Sequence, residues 1–337
     1  MIDVNSFLVF GGVFLLSFLL SKFIIKISSK FGLLDTPNHR SIHKTPVARG
    51  GGIAIFASFF LGLLAVGEIY SFWLEIGVFS TLAFVLISGV IDDMFGTSSK
   101  FKLFLIFVAA NLLWLNGFEL KTLGIVFGQE ILLGAFGGYL LLVIATVGFT
   151  NALNLIDGLD GLASIVSIVI LAAFAWMGFK LGDPFLFWIS MIAIFSIFGF
   201  LVLNWNPAKI FMGDSGSLSL GFLIVLLSVY AISIGRLTPA SLLLLGAVPV
   251  LDTLVVMTRR IRKGLSPFSA DKTHIHHLLL RQQKGDTKRT VLLLGAIQAL
   301  FTYIGLGFKV RDDVVIVGMF VLLFIVFYFL LTPKSSR

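Results

Sequence analysis

Apolar runs of about twenty residues recur along the whole chain, and they restrict the folds available to it more than any other feature. A helix of about twenty residues covers the hydrocarbon core of a bilayer, which is roughly 30 Å thick. Inside that core every backbone amide and carbonyl needs a partner, and a helix supplies it within one segment. Only 12% of the 337 residues are charged, about half the fraction in soluble domains. The sequence therefore predicts an all-α polytopic membrane protein.

The runs indicate about 11 transmembrane helices in a single integral membrane domain that covers residues 1–337. The first run lacks a small-residue cleavage site and is followed by others, so we interpret it as a retained helix and not a signal peptide. The chain has no cysteine, which excludes disulfides and thiolate metal sites. The predicted spans are roughly 7–26, 50–67, 74–91, 103–117, 131–150, 160–178, 185–203, 217–234, 238–258, 290–308 and 314–332.

The distribution of charge predicts how these spans are oriented. The loops on one side, together with the end of the chain, hold 20 of the 25 Lys and Arg residues. The positive-inside rule places that side in the cytoplasm, so we expect the N-terminus outside and the C-terminus in the cytoplasm. The net charge of +8 then reflects topology, and no nucleic-acid partner is expected. The predicted cytoplasmic loops are 27–49, 92–102, 151–159, 204–216 and 259–289.

The acidic residues are distributed just as unevenly as the basic ones. All four Glu lie on the predicted outer side, whereas nine Asp lie in or next to the cytoplasmic loops. All five His are on the cytoplasmic side as well. We therefore expect these loops to form the active site.

The segment VIDDMFGTSSKFK, residues 90–102, places two adjacent carboxylates before two lysines. Asp92 and Asp93 repel each other, so such a pair usually needs a cation or a proton nearby. A hydrophilic turn, with an Asp that caps the next helix, is one interpretation. Because Lys100 and Lys102 follow, phosphate or metal chemistry is an equally good one.

The segment NALNLIDGLDGLA, residues 151–163, packs four short polar side chains between two apolar runs. Asn154, Asp157 and Asp160 follow i, i+3, i+6 spacing, which at the start of a helix would place them near one face. Asn151 lies one turn earlier. An interfacial turn is the simpler interpretation, but four polar groups exceed what a turn needs, so we predict a binding pocket.

The segment LNWNPAKIFMGDSGS, residues 203–217, leads into the eighth predicted span. Small residues at a helix N-terminus offer free amides and the positive end of the helix dipole, which favours anions. Asp214 beside such a site suits a hard cation such as Mg²⁺, whose usual protein ligands are one or two carboxylates. A plain N-cap is the alternative. Asn204, at the other end of the segment, is a further candidate.

Two basic loops complete the set of candidates. Residues 259–289 contain His274, His276 and His277, which could bind Zn²⁺, but no carboxylate or Cys nearby in the sequence completes a ligand set. Contact with the phosphate or sugar of an anionic substrate is the preferred interpretation. Residues 32–52 contain Lys44 and Arg49 before three glycines, which suits phosphate contact, although a loop that sets topology explains the charges equally well.

Asp252 lies about two turns inside the ninth predicted span. An unpaired carboxylate at mid-membrane costs about 2.5–3.5 kcal/mol on insertion scales. Arg259 is seven residues away and on the same helical face. We predict a structural salt bridge between the two, with a contribution to the shape of the site as the alternative.

Together these motifs make the chain resemble the polyprenyl-phosphate N-acetylhexosamine-1-phosphate transferases. The resemblance rests on DTPNHRSIHKTPVARGGG, DD followed by SSKFK, NALNLIDGLDGLA, FMGDSGS and SPFSADKTHIHH, in that order over nearly the whole chain. It is strongest to the bacterial undecaprenyl-phosphate N-acetylglucosamine-1-phosphate transferases. The related phospho-N-acetylmuramoyl-pentapeptide transferases differ at the histidines and at TPVARGGG, which argues against that substrate.

The resemblance implies Mg²⁺-dependent transfer, or transfer with Mn²⁺ in its place, of N-acetylglucosamine 1-phosphate from UDP-GlcNAc to undecaprenyl phosphate, with release of UMP. This is the first step of a cell-envelope glycan such as lipopolysaccharide or teichoic acid. It implies a bacterial cytoplasmic (inner) membrane enzyme, with its active site on the cytoplasmic face, that contacts membrane lipid and forms a homodimer. A phospho-N-acetylmuramoyl-pentapeptide transferase or another UDP-N-acetylhexosamine-1-phosphate transferase is the alternative within the class, and a secondary transporter is the alternative outside it.

The resemblance also assigns residues. The metal ligands would be Asp214 and Asn154, and the catalytic residues Asp92, Asp93 and Lys100. The substrate-binding residues would be Asp157, Asp160, Asn151, His274, His276, His277, Lys44, Arg49, Lys102, Asn204 and Arg259. Direct attack by the lipid phosphate and a covalent intermediate on Asp92 are both open, and direct attack is preferred because the lipid phosphate is already ionised near pH 7.

Overall fold

The computed structural model describes residues 4–37, 45–67, 72–266, 274–307 and 313–331, and the protein is mostly helical (77%). The helices within these ranges are α1 (Val4–Ile27), α2 (Gly51–Val66), α3 (Phe72–Phe95), α4 (Ser99–Leu115), α5 (Ala135–Ile156), α6 (Leu162–Leu181), α7 (Pro184–Asn204), α8 (Gly213–Ser233), α9 (Pro239–Leu245), α10 (Ala247–Arg262), α11 (Ile275–Gln282), α12 (Thr287–Gly307) and α13 (Asp313–Leu331). The strands are β1 (Leu34–Asp35), β2 (Val47–Ala48), β3 (Thr122–Val126) and β4 (Gln129–Leu132).

Each predicted span corresponds to a helix or to a pair of helices. Among the described residues, eight helices are long and apolar enough to cross a membrane, and α9 with α10 would make a ninth if the pair forms one span. Helices α2 and α4 are shorter, with 16 and 17 residues. A polytopic helical membrane protein is thus confirmed, whereas the count of 11 and the orientation stay predictions.

The structure is consistent with the predicted all-α fold class, and two short antiparallel strand pairs accompany the helices. Strands β1 and β2 pair Leu34 with Ala48. Strands β3 and β4 form a hairpin between α4 and α5, in part of what the sequence assigned to the fifth span. Its turn at Phe127 and Gly128 has positive φ at both positions (50° and 78°), as two-residue hairpin turns require.

The stretch at 151–159 is also not the loop that the sequence predicted. Helix α5 continues to Ile156, so Asn151 and Asn154 are helical. Asp157 is the C-cap, and α6 begins only at Leu162. The polar cluster therefore lies at a helix end and in the following turn, and not at a helix start.

The predicted ninth span is broken into α9 and α10, which meet at about 90° beside Gly246. Pro249 has no amide to donate to the carbonyl of Leu245, so the helix cannot continue there. Gln298 of α12 replaces the missing bonds: its Nε2 donates to the Leu245 carbonyl (2.6 Å) and its Oε1 accepts from the Val248 amide (3.0 Å). A buried amide side chain thus makes the bend tolerable in apolar surroundings.

Helix α8 is the centre of the bundle, since every residue from Ser215 to Ile232 is buried. It packs against α2, α3, α5 and α6. A helix that is apolar on all faces is expected at such a central position. The N-terminus of α8 is therefore fixed by neighbours on several sides.

Glycines let α2 and α3 approach the first turn of α8. A Cβ on Gly52 of α2 would lie 2.0 Å from the Gly216 amide nitrogen, and one on Gly89 of α3 would lie 2.5 Å from the Ser215 Cα. The amide of Gly52 also donates to the carbonyl of Met212 (2.9 Å). The backbones are in direct contact here, which leaves no room for a larger residue.

Substitution Gly52→Ala should therefore destabilise the protein. Overpacking typically costs about 1–3 kcal/mol, and here the obstructing atoms are backbone. We expect a lower midpoint of thermal unfolding in detergent. Gly148→Ala is the matched control, because a Cβ on this exposed glycine of α5 meets nothing within 4 Å. Equal midpoints for the two variants would contradict the close approach.

Candidate active site

A cavity of about 890 Å³ opens at the end of the bundle where α3, α5 and α7 end and α4, α6 and α8 begin. Polar side chains from distant parts of the chain meet in it, as the sequence predicts. Those that line it are Asp35, Thr45, Arg49, Asp92, Thr97, Lys102, Asn154, Asp157, Asp160, Asn204, Asn206, Asp214, His277 and Thr287.

Asp93 is buried behind the cavity wall and holds the beginning of α8. Its carboxylate accepts hydrogen bonds from the Asp214 amide (2.8 Å), the Ser215 amide (3.1 Å) and the Ser215 hydroxyl (2.6 Å). Arg49 completes the set with an ion pair of 3.0 Å. The free amides and the positive dipole end of a helix favour such a carboxylate. Both oxygens of Asp93 are engaged, so its geometry supports a structural function and not the predicted catalytic one.

Asp92, by contrast, faces the cavity. One oxygen accepts from the Thr97 amide (2.7 Å) and from the Thr97 hydroxyl, and the other forms an ion pair with Lys102 (2.8 Å). The same ammonium group contacts Asp214. Lys102 therefore bridges two carboxylates that come from α3 and α8.

The two lysines of this motif lie on different faces of α4. Residues at i and i+2 point to different faces, so Lys102 enters the cavity whereas Lys100 is exposed and does not line it. The structure thus supports Lys102, and not the predicted Lys100, as the lysine of the site.

Asn154 connects the end of α5 to the start of α8. Its amide nitrogen lies 3.2 Å from Asp214 Oδ1 and 2.8 Å from the Ser217 hydroxyl oxygen. The two residues predicted to hold the metal are thus in direct contact.

Asp157 is a cavity carboxyl group whose ionised form is strongly disfavoured. Burial raises the pKa of Asp157 to about 8, and repulsion by Asp214, Asp93 and Asp160 acts in the same direction. A pKa raised this far means that no cation among the described residues is close enough to stabilise the ionised form of Asp157. A ligand or ion that brings positive charge would therefore be favoured there.

The turn after Asp157 is tied to the loop before α8. Asp160 accepts from the Asn206 side chain (2.8 Å) and from the Ala208 amide (3.0 Å). Asn204 accepts from the Gly161 amide (3.0 Å) and donates to the Ile210 carbonyl (2.8 Å). Both residues line the cavity, and both also hold its wall in shape.

The three histidines are divided between the interior and the cavity. His274 and His276 are buried beside Asp252, with Nδ1–Oδ2 distances of 3.1 and 3.3 Å. His277 lines the cavity. Burial, followed by repulsion from His276 and His274, lowers the pKa of His277 to about 4, so its ring is neutral at pH 7. His277 can therefore offer a neutral hydrogen-bonding group to a substrate.

Two expectations about this region are wrong. Asp252 is paired with the histidines and not with Arg259, because the chain folds back from residue 274 onto α10. The argument that no carboxylate is available beside the histidines also fails, since Asp252, His274 and His276 bring ligand-type atoms within 4.8 Å of one another. Asp252 is far from the histidines in the sequence, so residue spacing alone did not indicate that they are in contact.

Several other predicted residues are not in the cavity. Asn151 is half-buried and Arg259 is buried in α10, and neither lines the cavity. Lys44 lies outside the described residues. Asp35 and Thr97 line the cavity but were not among the predicted residues. The motif DTPNHR could have pointed to Asp35, whereas nothing in the sequence singles out a threonine that bonds an aspartate.

The oxygen ligands present are those that a hard cation prefers. Asp214 and Asn154 are in contact, and the carboxylates of Asp92 and Asp157 line the same cavity. Mg²⁺ is usually held by one or two carboxylates together with substrate phosphates. The raised pKa of Asp157 agrees with a site of this kind, because a bound cation would favour its ionised form.

Comparison of the sequence with those of known proteins assigns the chain to a family. The sequence model of glycosyl transferase family 4 matches residues 75–232. An undecaprenyl-phosphate alpha-N-acetylglucosaminyl 1-phosphate transferase of Yersinia pestis is 32% identical over 90% of this chain and 85% of its own length. The chain belongs to glycosyl transferase family 4.

Two further relatives of this family 4 member show the same level of similarity. A protein of Bacillus subtilis (strain 168), named a probable undecaprenyl-phosphate N-acetylglucosaminyl 1-phosphate transferase, is 32% identical over 78% of the chain and 74% of its own length. An Escherichia coli (strain K12) protein with the same name as the Yersinia relative is 32% identical over 85% and 79%. The residues matched by the family model include Asp92, Asp157 and Asp214.

The structural function of Asp93 predicts a large loss of stability in Asp93→Asn. The substitution leaves Arg49 without its charge partner and puts an amide against the donors of α8. Breaking a buried ion pair costs about 3–5 kcal/mol, and we expect the free energy of unfolding in a denaturant titration to fall by that amount. Glu119→Gln is the control: its contact with Lys121 (3.5 Å) is exposed, and it should change stability by less than about 1 kcal/mol. Equal effects of the two substitutions would refute the assignment.

Proposed function

We propose that the protein transfers N-acetylglucosamine 1-phosphate from UDP-GlcNAc to undecaprenyl phosphate, giving undecaprenyl-pyrophosphoryl-GlcNAc and UMP. The observation that carries the proposal is the convergence of carboxylates and cations from six helix ends in one cavity. The names of the relatives supply the sugar phosphate and the acceptor. These names alone do not say whether this chain has a functional active site. The polar cavity supports the inference that it has one.

The cavity suits a nucleotide sugar in size and polarity. Its volume of about 890 Å³ lies within the range of small-molecule pockets, about 300–1,000 Å³. Arg49 and Lys102 offer positive charge to a diphosphate, and Asp157 and Asp160 can accept hydrogen bonds from a base or sugar. A donor of this class fits better than an apolar ligand.

The position of the cavity at a helix-bundle end suits a reaction between a water-soluble donor and a lipid. We infer that this end faces the cytoplasm of a bacterial inner membrane, because the basic loops cluster there. The product would begin a cell-envelope glycan such as lipopolysaccharide or teichoic acid, and a homodimer is the assembly that we propose from the family resemblance.

In the proposed reaction a lipid phosphate oxygen attacks the β-phosphorus of UDP-GlcNAc. A new P–O bond forms, and the bond from the β-phosphorus to the bridging oxygen breaks. UMP leaves with that electron pair. The lipid phosphate has a second pKa near 6, so no strong base is needed to ionise it near pH 7.

The protein contributes by positioning and by electrostatics, as is usual for transfer of phosphoryl groups. Lys102 is held between Asp92 and Asp214 and can neutralise charge on either phosphate. Asp92, fixed by Thr97, can orient the acceptor. Mg²⁺ held by Asp214 and Asn154 would neutralise charge on the diphosphate.

The contacts of Asp92 favour direct attack over a covalent intermediate. Its carboxylate already accepts two hydrogen bonds from Thr97 and an ion pair from Lys102. A nucleophilic carboxylate would have to lose part of this set before it formed a bond to phosphorus. An aspartate that only orients the acceptor keeps these contacts.

The proposed function predicts UMP release that depends on UDP-GlcNAc, undecaprenyl phosphate and Mg²⁺ together. The decisive assay compares a panel of donors, including other UDP-N-acetylhexosamines and UDP-N-acetylmuramoyl-pentapeptide, with purified protein in detergent. UDP-GlcNAc should give the highest kcat/KM. Absence of lipid-dependent UMP release with every donor would refute the proposal, and preference for another donor would replace the proposed substrate.

The lysine pair offers a matched test of the site. Lys102→Ala removes a fixed cation from the reacting phosphates, and loss of one electrostatic contact of this kind typically costs about 10²–10³-fold in kcat. Lys100→Ala, two residues away on the exposed face, should stay within about twofold of wild type. Thermal unfolding of both variants controls for misfolding. If Lys102→Ala is as active as Lys100→Ala and wild type, Lys102 takes no part in the reaction.

Direct attack predicts no burst of UMP when enzyme and UDP-GlcNAc are mixed without lipid. Rapid-quench measurements at enzyme concentrations comparable to that of the donor would reveal one. A burst that approaches one UMP per active site, and is absent in Asp92→Asn, would establish the covalent route in its place.

A further inference from the structure

Asp252 is a buried carboxylate at the centre of a contact set that lies outside the cavity. It is 1% exposed and belongs to α10. It accepts from the Ile275 amide, and its Oδ2 lies within hydrogen-bond distance of the Nδ1 atoms of His274 and His276. One side chain thus holds both the first amide of α11 and two imidazole rings.

These contacts reach the cavity wall within one more layer of atoms. A Cβ on Gly158 would lie 2.5 Å from His276 Nε2, so the far edge of this ring packs directly against the turn after Asp157. The ring of His277, which lines the cavity, is 4.3 Å from the ring of His276. Asp252, His276 and the cavity wall therefore form three successive layers.

We propose that Asp252 is a positioning residue of the donor site, which acts through His276 on His277 and on the turn that carries Asp157. The proposal rests on the proposed function for its substrate, a nucleoside diphosphate sugar. Asp252 contacts no part of the cavity, so it would take no direct part in the reaction.

Hydrogen-bond chemistry explains how the carboxylate would orient the rings. An ionised Asp252 only accepts, so each Nδ1 that faces it carries the proton. These contacts orient each Nδ1 toward Asp252 and leave the Nε2 of His276 facing Gly158. The carboxylate also caps α11 from another helix, which the N-cap residue His274 does not do with its own side chain. The start of α11 thus has its position fixed by Asp252.

A metal ion is the competing explanation for this cluster. The three side chains bring ligand-type atoms within 4.8 Å of one another, as in a three-ligand site. Hydrogen bonds explain the same distances and leave neither Nδ1 unsatisfied, so we favour the positioning function and use metal content as a test.

The first experiment compares Asp252→Asn in two backgrounds. A misplacement of about 1 Å in a site costs on the order of 10²-fold, so kcat/KM for UDP-GlcNAc should fall about 100-fold in the wild-type background. In a His276→Ala background the same substitution should cost less than about threefold, because the ring through which Asp252 acts is gone. Equal losses in both backgrounds would overturn the proposal.

The matched control is Asp313→Asn at the opposite end of the bundle. Asp313 is also buried (3% exposed) and accepts from a backbone amide, that of Ile125, and from the Thr238 hydroxyl. The substitution Asp313→Asn should lower the midpoint of thermal unfolding. It should leave the KM for UDP-GlcNAc unchanged at a temperature where the protein is folded. An equal rise of this KM in both variants would make the effect of Asp252 a general loss of stability, and would overturn the proposal.

Hydrogen exchange provides a readout that does not depend on turnover. In Asp252→Asn, amides of residues 275–282 should exchange at least about tenfold faster, while those of α8 stay protected. If the exchange rates of residues 275–282 are unchanged, Asp252 does not anchor α11 and the proposal is overturned. This outcome does not depend on whether UDP-GlcNAc is the donor. If Asp252→Asn does not fold, Asp252→Glu, which shifts the carboxylate by one methylene, takes its place in both experiments.

Metal analysis completes the test. Purified wild-type protein should hold no stoichiometric zinc or other transition metal that depends on Asp252. One equivalent of such a metal, absent from Asp252→Asn, would assign the cluster to metal binding and overturn the proposal.

Discussion

The carboxylate of Asp93 is the contact on which the rest of the cavity depends. It joins the end of α3 to the first amides of α8 and, through Arg49, to the strand pair before α2. Helix α8 is buried on all sides, so the position of its N-terminus determines where Asp214 lies relative to the neighbouring helices. A buried carboxylate is stable there because helix amides, a hydroxyl and a guanidinium replace the water that it loses.

In the cavity itself, by contrast, the carboxyl groups have too few cationic partners among the described residues for all of them to ionise readily. Lys102 serves two carboxylates at once, and the pKa of Asp157 rises to about 8 because burial and neighbouring acids disfavour its ionised form. A bound cation would favour ionisation of Asp157, so the cavity suits a substrate that binds together with a cation.

Two polar residues deep in the apolar bundle follow a common principle, since each supplies hydrogen-bond partners to backbone groups at a helix end. Gln298 bonds the carbonyl and amide freed where α9 ends and α10 begins, and Asp252 caps α11 from a different helix. The cost of an unsatisfied group in apolar surroundings explains why these residues are polar. It also explains why each is engaged on both of its polar atoms.

The sequence alone determined the helical membrane architecture, the motifs that converge and the family resemblance, because twenty-residue apolar runs and clustered aspartates are local patterns. Only the tertiary structure decided that Asp93 is engaged by α8, that Lys102 and not Lys100 enters the cavity, and that Asp252 meets the histidines and not Arg259. The hairpin at 122–132 and the break at Gly246 were likewise invisible in hydropathy. The physical reason is that a side chain's function depends on its direction and on partners brought by distant segments, and neither is encoded in the spacing of residues along one segment.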